Sequence, residues 1–210
     1  MTLSALFSTC ISLSYLEIGN TVNYAVKREG RTLYIFFEDS DGKTDWKRNL
    51  DFPVKAYKRM QKTAWYAHRG FLRAWKEVEP ALFADISDEK IQKIVVAGYS
   101  HGGAIALLCH EYIWFHRPDL RGNLEGYGFG CPRVIWKAGK SKQRWKNFCV
   151  IRNLDDLITH LPPAFLGFRH VGSLLKIGKR GKYSPIQAHY AENILRELLF
   201  YEKDKQNPTV

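Results

Sequence analysis

Ser100 stands in Gly98-Tyr99-Ser100-His101-Gly102, a G-x-S-x-G pattern, and the chemistry this spacing offers is nucleophilic. Glycine on either side permits a turn too tight for flanking side chains. Such a turn lifts the serine Oγ clear and aims the backbone N–H of His101, together with the following helix N-terminus, at a developing oxyanion. A serine hydroxyl is a poor nucleophile at neutral pH until a base takes its proton. Where this turn serves hydrolysis, an acid and then a histidine follow the serine in sequence. Apart from His101 itself, the later histidines are His110, His116, His160, His170 and His189. His110 and His116 fall on the helix after the serine and point away from it. Asp155-Asp156 closely follows the apolar run Phe148–Arg152 and supplies the candidate acid. His160 lies on the same loop as that pair, too near for the required geometry. His189 follows a loop and opens the last helix, where a mobile base is usually placed, so it is the favoured base. His170, in Arg169-His170-Val171-Gly172, is the alternative.

These residues need a sheet to hold them. Lys93–Ala97 is apolar and β-branched and predicts a buried strand, and Gly103–Tyr112 predicts a helix with a small-residue face. Thr21–Val26 and Thr32–Phe37, with Glu29-Gly30 between them, predict a hairpin. Pro53 opens an irregular or short helical stretch to about Tyr66. Phe71, Leu72, Trp75, Val78 and Leu82 give Gly70–Phe83 a helical period that Pro80 ends or kinks. Leu124–Phe129, Phe148–Arg152 and Phe168–Ile177 are the later strands, with Tyr183–Ile186 at best a short edge strand because of Pro185. Ala188–Tyr201 closes the chain as a helix. Strands alternating with helices predict an α/β fold with helices on both faces of the sheet.

With 210 residues, 45% of them apolar, the chain suits one domain with a substantial core, over residues 1–202, followed by a polar tail at 203–210. Net charge is 32 − 21 = +11, which fits attraction to anionic lipid surfaces, to nucleic acid, or solubility alone. The basic residues are spread along the chain. The densest stretch, Lys137 to Lys146 with Trp136 and Trp145, reads as a solvated connector, so no nucleic acid partner is expected. Cys10, Cys109, Cys131 and Cys149 lack metal-binding spacing, and Cys109 and Cys149 sit in apolar stretches as small core residues. Met1–Leu16 reads as an amphipathic first helix rather than a signal peptide, and no apolar run reaches the length of a membrane span. The expected location is cytoplasmic.

Six ordered motifs resemble the class 3 lipases, the fungal-lipase-like branch of the α/β-hydrolases. Ile35–Ser40 with Asp45-Trp46 and Asn49-Leu50 is similar to the family's F-R-G-[ST] strand end and its D-W-x-x-N-L. His68-Arg69-Gly70-Phe71 resembles H-x-G-F, Gly98–Gly102 the elbow, Phe129–Val134 F-G-x-P-R-V, and Asn153–Asp156 with Leu161-Pro162-Pro163 resembles N-x-x-D followed by L-P-P. The resemblance covers roughly Thr32 to Tyr201. It implies an α/β-hydrolase fold with a mostly parallel central sheet. It also implies a carboxylic ester hydrolase acting through Ser100, His189 and Asp156, the residue three after Asn153. Ser40 and the His101 N–H form the implied oxyanion hole, and no cofactor or metal is implied. The expected substrate is a lipid or short-chain ester. Glu38-Asp39 replaces the family's Arg-Gly, and Asp41–Thr44 leaves no room there for a helical lid. The alternative is a protein of the same fold that binds lipid or a partner without hydrolysis.

Overall fold

A computed structural model of the chain describes residues 1–16, 22–38, 54–59, 63–137 and 143–206. In order, its elements are α1 (Leu3–Ser12), β1 (Tyr24–Glu29), β2 (Thr32–Phe37), β3 (Val54–Arg59), β4 (Thr63–His68), α2 (Arg69–Ile86), β5 (Lys93–Tyr99) and α3 (His101–His116). There follow β6 (Leu124–Phe129), β7 (Ile135–Trp136), β8 (Phe148–Asn153), β9 (Phe168–Arg169), β10 (Ser173–Ile177) and α4 (Ala191–Gln206). The main sheet runs β1-β2-β5-β6-β8-β10. Only β1 is antiparallel to its neighbour, paired with β2 across the turn at Gly30 and Arg31. Every other neighbouring pair is parallel.

Alternation along the strands divides the interior in two. Leu33, Ile35 and Phe37 of β2 and Ile94 and Val96 of β5 point to one face, where α2 and α3 cover them through Phe71, Trp75, Val78, Ile105 and Leu108. Phe36 of β2, Val95 and Ala97 of β5, Phe129 and Ile151 point to the other face. There Leu6, Phe7 and Cys10 of α1 and Ile194 and Leu198 of α4 meet them. A strand buried on both faces reads as a continuous apolar run, as Ile94–Ala97 does. At roughly 1.5–3 kcal/mol per fully buried large apolar side chain, these two layers are the main source of the rigidity the site needs.

Several elements differ from expectation. The stretch after Pro53 forms the antiparallel pair β3 and β4, with Val54 opposite His68 and Arg59 opposite Thr63. A second sheet, β3-β4-β7-β9, supplies its partners. Residues distant in sequence thus settle the strand, where local propensity did not. Phe168–Ile177 is not one strand. Gly172 sits at φ +79°, and a Cβ there would lie 2.1 Å from the Phe148 carbonyl oxygen, so the chain turns. β9 thereby joins the second sheet and β10 the main one. Tyr183–Ile186 forms no strand, and Gln187–His189 is a 3₁₀ turn.

Pro80 lies inside α2 and on its exposed side, so the carbonyl it deprives of a donor can turn to water. α4 begins at Ala191 and continues to Gln206, so Lys203–Gln206, expected as polar tail, is helical. Cys149 is half-buried rather than a core residue, whereas Cys109 is fully buried.

Candidate active site

β5 ends at Tyr99 and α3 begins at His101, leaving Ser100 alone at φ 53°, ψ −117°. Only Ser100 and Lys137, among the described residues other than glycine, have positive φ. Such a backbone costs of order 1–3 kcal/mol and persists where its surroundings over-determine it. Here they do. The Ser100 N–H donates to the Phe129 carbonyl at 2.8 Å, and the Gly103 N–H donates to the Ser100 carbonyl at 3.1 Å. A Cβ on Gly98 would lie 2.2 Å from the Gly102 carbonyl oxygen, and one on Gly102 would lie 2.3 Å from that of Phe37. The two glycines let strand, helix and the end of β2 meet at one point.

β8 places the acid. After Asn153 the chain turns, with the Asp156 N–H donating to the Asn153 carbonyl at 2.9 Å. Asp156 is fully buried. Its Oδ1 accepts from the Ile158 N–H at 2.9 Å, and its Oδ2 lies 2.9 Å from His189 Nδ1. His189 Nε2 lies 2.8 Å from Ser100 Oγ. With the carboxylate accepting, Nδ1 carries the proton. Nε2 then presents its lone pair to the Ser100 O–H. Ser100 and His189 are 3% and 6% exposed, so this line of contacts lies almost out of reach of water.

Three consecutive carbonyls fix the backbone beneath the imidazole. Asn193 Nδ2 donates to Gln187 O at 2.8 Å, Asn153 Nδ2 to Ala188 O at 2.9 Å, and the Tyr99 hydroxyl to His189 O at 2.6 Å. The Tyr99 ring also stacks on that of His189, centroids 5.2 Å apart and planes at 26°. Sequence reasoning gave Tyr99 no part beyond a variable elbow position and overlooked Asn193. No local pattern marks either, because both act across the fold.

The other candidates are elsewhere. His170 Nε2 donates to the Thr159 carbonyl at 2.8 Å, on the loop that follows the acid. Burial, partly opposed by that hydrogen bond and reinforced by Arg152 and Arg133, pulls its pKa down to about 4. Asp155 Oδ2 accepts from the Gly181 N–H at 2.6 Å and takes no part in the relay. His110 is buried on α3 against the Phe148 ring, and His160 is exposed. His101 opens α3, so its N–H is a first-turn donor with no acceptor within the helix. Ser40, with Asp39 and the stretch Asp45–Leu50, lies outside the described residues. Glu38 is described: its Oε2 accepts from Asn23 Nδ2 at 2.8 Å, which ties that carboxylate to the residue before β1. Among the described residues no three His, Cys, Asp or Glu side chains are grouped to hold a metal.

Residues 34–166 match the family model for lipase (class 3). The chain belongs to the class 3 lipases. A lipase of Rhizomucor miehei is 34% identical over 155 residues, which make up 68% of this chain and 40% of that protein. The structure of the R. miehei triacylglyceride lipase superposes with a TM-score of 0.65 at 31% identity, covering 80% of this chain and 67% of the other. A triacylglycerol lipase whose catalytic centre is formed by a serine protease triad superposes at 0.66 and 30% identity, over 80% and 67% of the two chains. The fold is that of these α/β hydrolases. The secreted mono- and diacylglycerol lipase 1 of Fusarium solani is 34% identical over 110 residues, 49% of this chain and 32% of that protein.

This class 3 lipase thus spans about two fifths or less of the length of those two relatives. The expected cytoplasmic location does not stand, since a relative at 34% identity is by name a secreted enzyme. Among the described residues no helix is long and apolar enough to cross a membrane.

Proposed function

We propose that the protein is a serine carboxylester hydrolase acting on lipid or short-chain esters, with Ser100 as nucleophile, His189 as base and Asp156 as the acid that orients it. The observation that carries this is the unbroken relay of 2.8 and 2.9 Å contacts ending on a serine held at positive φ. Ser100 Oγ attacks the ester carbonyl carbon while its proton passes to His189 Nε2, and the carbonyl π pair moves onto oxygen. Asp156 accepts Nδ1–H throughout and offsets the charge of the imidazolium. The His101 N–H, with Ser40 as the family resemblance implies, donates to the oxyanion. Each such donor is worth about 2.7–4 kcal/mol in the transition state. Collapse expels the alcohol, which takes the proton from Nε2, and leaves an acyl-serine. Water, giving a proton to His189, then releases the acid and restores Ser100.

The relatives named for triacylglyceride and mono- and diacylglycerol hydrolysis support a lipid ester as substrate. Peripheral contact with anionic lipid surfaces belongs to the same reading. Leu157 and Tyr190, which adjoin the acid and base in sequence, and Ile186, three positions before the base, are exposed, and Phe165 is 86% exposed, on a chain of net charge +11. A labelled fluorophosphonate tests the chemistry. Wild type is expected to be labelled at Ser100 and Ser100→Ala to stay unlabelled. A wild type that neither reacts nor hydrolyses any p-nitrophenyl ester from short to long acyl chain would leave a lipid-binding protein of the same fold.

A further inference from the structure

Arg152 lies on β8, four positions before the acid, and is only 8% exposed. Its Nε is sealed from water without a hydrogen-bond partner, and its guanidinium makes no hydrogen bond or ion pair to a described residue. Two more arginines hold the loop that follows Asp156. Arg133 Nη1 donates to the His160 and Pro162 carbonyls, the latter at 3.0 Å, and Arg169 Nη1 donates to the Ala164 and Phe168 carbonyls, the latter at 2.8 Å. Those partners are neutral. Among the described residues no carboxylate pairs with any of the three. Among the described residues the carboxylate that acts on Arg152 is Asp156, which is already engaged by His189 and the Ile158 N–H. Burial pulls the Arg133 pKa down and Arg152 and Arg169 reinforce it, while burial, Arg152 and Arg133 lower that of His160.

A largely buried cation without a counter-charge is costly, and its Nη groups, which are not sealed as Nε is, stay open to a ligand. The chemistry that relieves three guanidiniums gathered around one loop is an anion with several oxygens, more than one of which carries charge. A phosphoryl group is such an anion, and guanidinium forks match it bidentately. We infer that Arg152, with Arg133, Arg169 and His160 around the loop after Asp156, forms a binding site for a phosphoryl anion, supplied by a lipid headgroup or by free phosphate. β8 is two places from β5 in the sheet, which sets Arg152 about 10 Å from the serine's strand. In a glycerophospholipid the phosphate is a few bonds from the acyl esters, so a headgroup held here leaves an ester within reach of Ser100. That lipid arm rests on the hydrolase reading above, whereas binding of the anion does not.

The test begins with inorganic phosphate titrated calorimetrically into wild type and Ser100→Ala, alongside Arg152→Gln and Arg152→Lys. Both proteins with Arg152 intact are expected to bind and to melt higher with phosphate, Arg152→Gln to bind at least tenfold more weakly, and Arg152→Lys to recover part of the loss. Without phosphate, Arg152→Gln should melt no lower than wild type, because it removes an uncompensated buried cation. Absence of phosphate binding, or equal binding by Arg152→Gln, overturns the site. The second arm compares turnover of lysophosphatidylglycerol and of the neutral monoacylglycerol with the same acyl chain. A headgroup source lowers the ratio at least tenfold in Arg152→Gln and makes phosphate a competitor. With free phosphate as the source, the ratio stays while phosphate binding is lost in that variant. If wild type turns over neither lipid the hydrolase reading fails, and the phosphate titration still decides the site.

Discussion

Ser100, His189 and Asp156 form one line of hydrogen bonds, yet what holds the line differs for each. The serine is fixed by backbone, the acid by its own turn, and the base by three side chains gripping the carbonyls of residues 187 to 189. Asp156→Asn is expected to cut ester turnover by about 10⁴, the loss such a change causes elsewhere through the wrong imidazole tautomer, while Asp155→Asn stays close to wild type. Steady-state rates on one p-nitrophenyl ester check both, and the reverse ranking would move the acid. Tyr99 positions the base through its hydroxyl and its ring. Tyr99→Phe should keep the ring stack and lose one hydrogen bond worth about 1 kcal/mol, a roughly fivefold fall in kcat with KM little changed. Tyr99→Ala, losing the stack as well, should fall further. The serine was legible from five residues. The acid and base were legible because order and loop placement narrowed seven histidines to two. Tyr99 was not, since its hydrogen bond spans 90 positions.

At the scale of elements, the elbow is a steric junction. Gly102 faces the Phe37 and Glu38 carbonyl oxygens at the end of β2, at 2.3 and 2.4 Å from where a Cβ would stand, and backbone cannot yield as a side chain tip can. Gly102→Ala is therefore expected to cost about 3 kcal/mol or more and to abolish turnover by pushing β2 from the serine. Gly122→Ala, with nothing within 4 Å, should stay within about 0.5 kcal/mol of wild type. Thermal melts of the pair separate a junction from a merely glycine-rich sequence. The strands around this junction were legible for the same reason that they are rigid. β5 is buried on both faces, and its apolar run says so. The second sheet was not legible. β4 pairs with β7 over two residues only, Tyr66 with Trp136 and Ala67 with Ile135, and that contact joins segments some seventy positions apart, about which a local period carries no information.

Across the whole molecule, stability in acid is linked to two histidines that the fold holds neutral. Burial drives His110 to about 3, weakly opposed by backbone at Arg144, and His170 to about 4. In the unfolded chain both return to about 6.5. Below that value the unfolded state binds protons that the fold refuses, so stability is whole above about pH 6.5 and declines as pH falls toward 4 and then 3. The carboxylates that their arginine partners hold low, Asp88 beside Arg28 and Asp119 beside Arg117, act in a separate window below their ordinary value of 3.8. Denaturant melts from pH 8 to 4.5 should therefore lose stability before any carboxylate effect begins. His110→Leu, of similar volume and without a titrating group, is expected to flatten that decline at little cost at pH 8, leaving the shares of His170 and His160. The His110 and His170 ring signals should show no titration above pH 5 by NMR. A wild-type stability that is level from pH 7 to 5, or a His110→Leu profile parallel to it, would mean that these rings reach water and that the interior around α3 is looser than its packing shows.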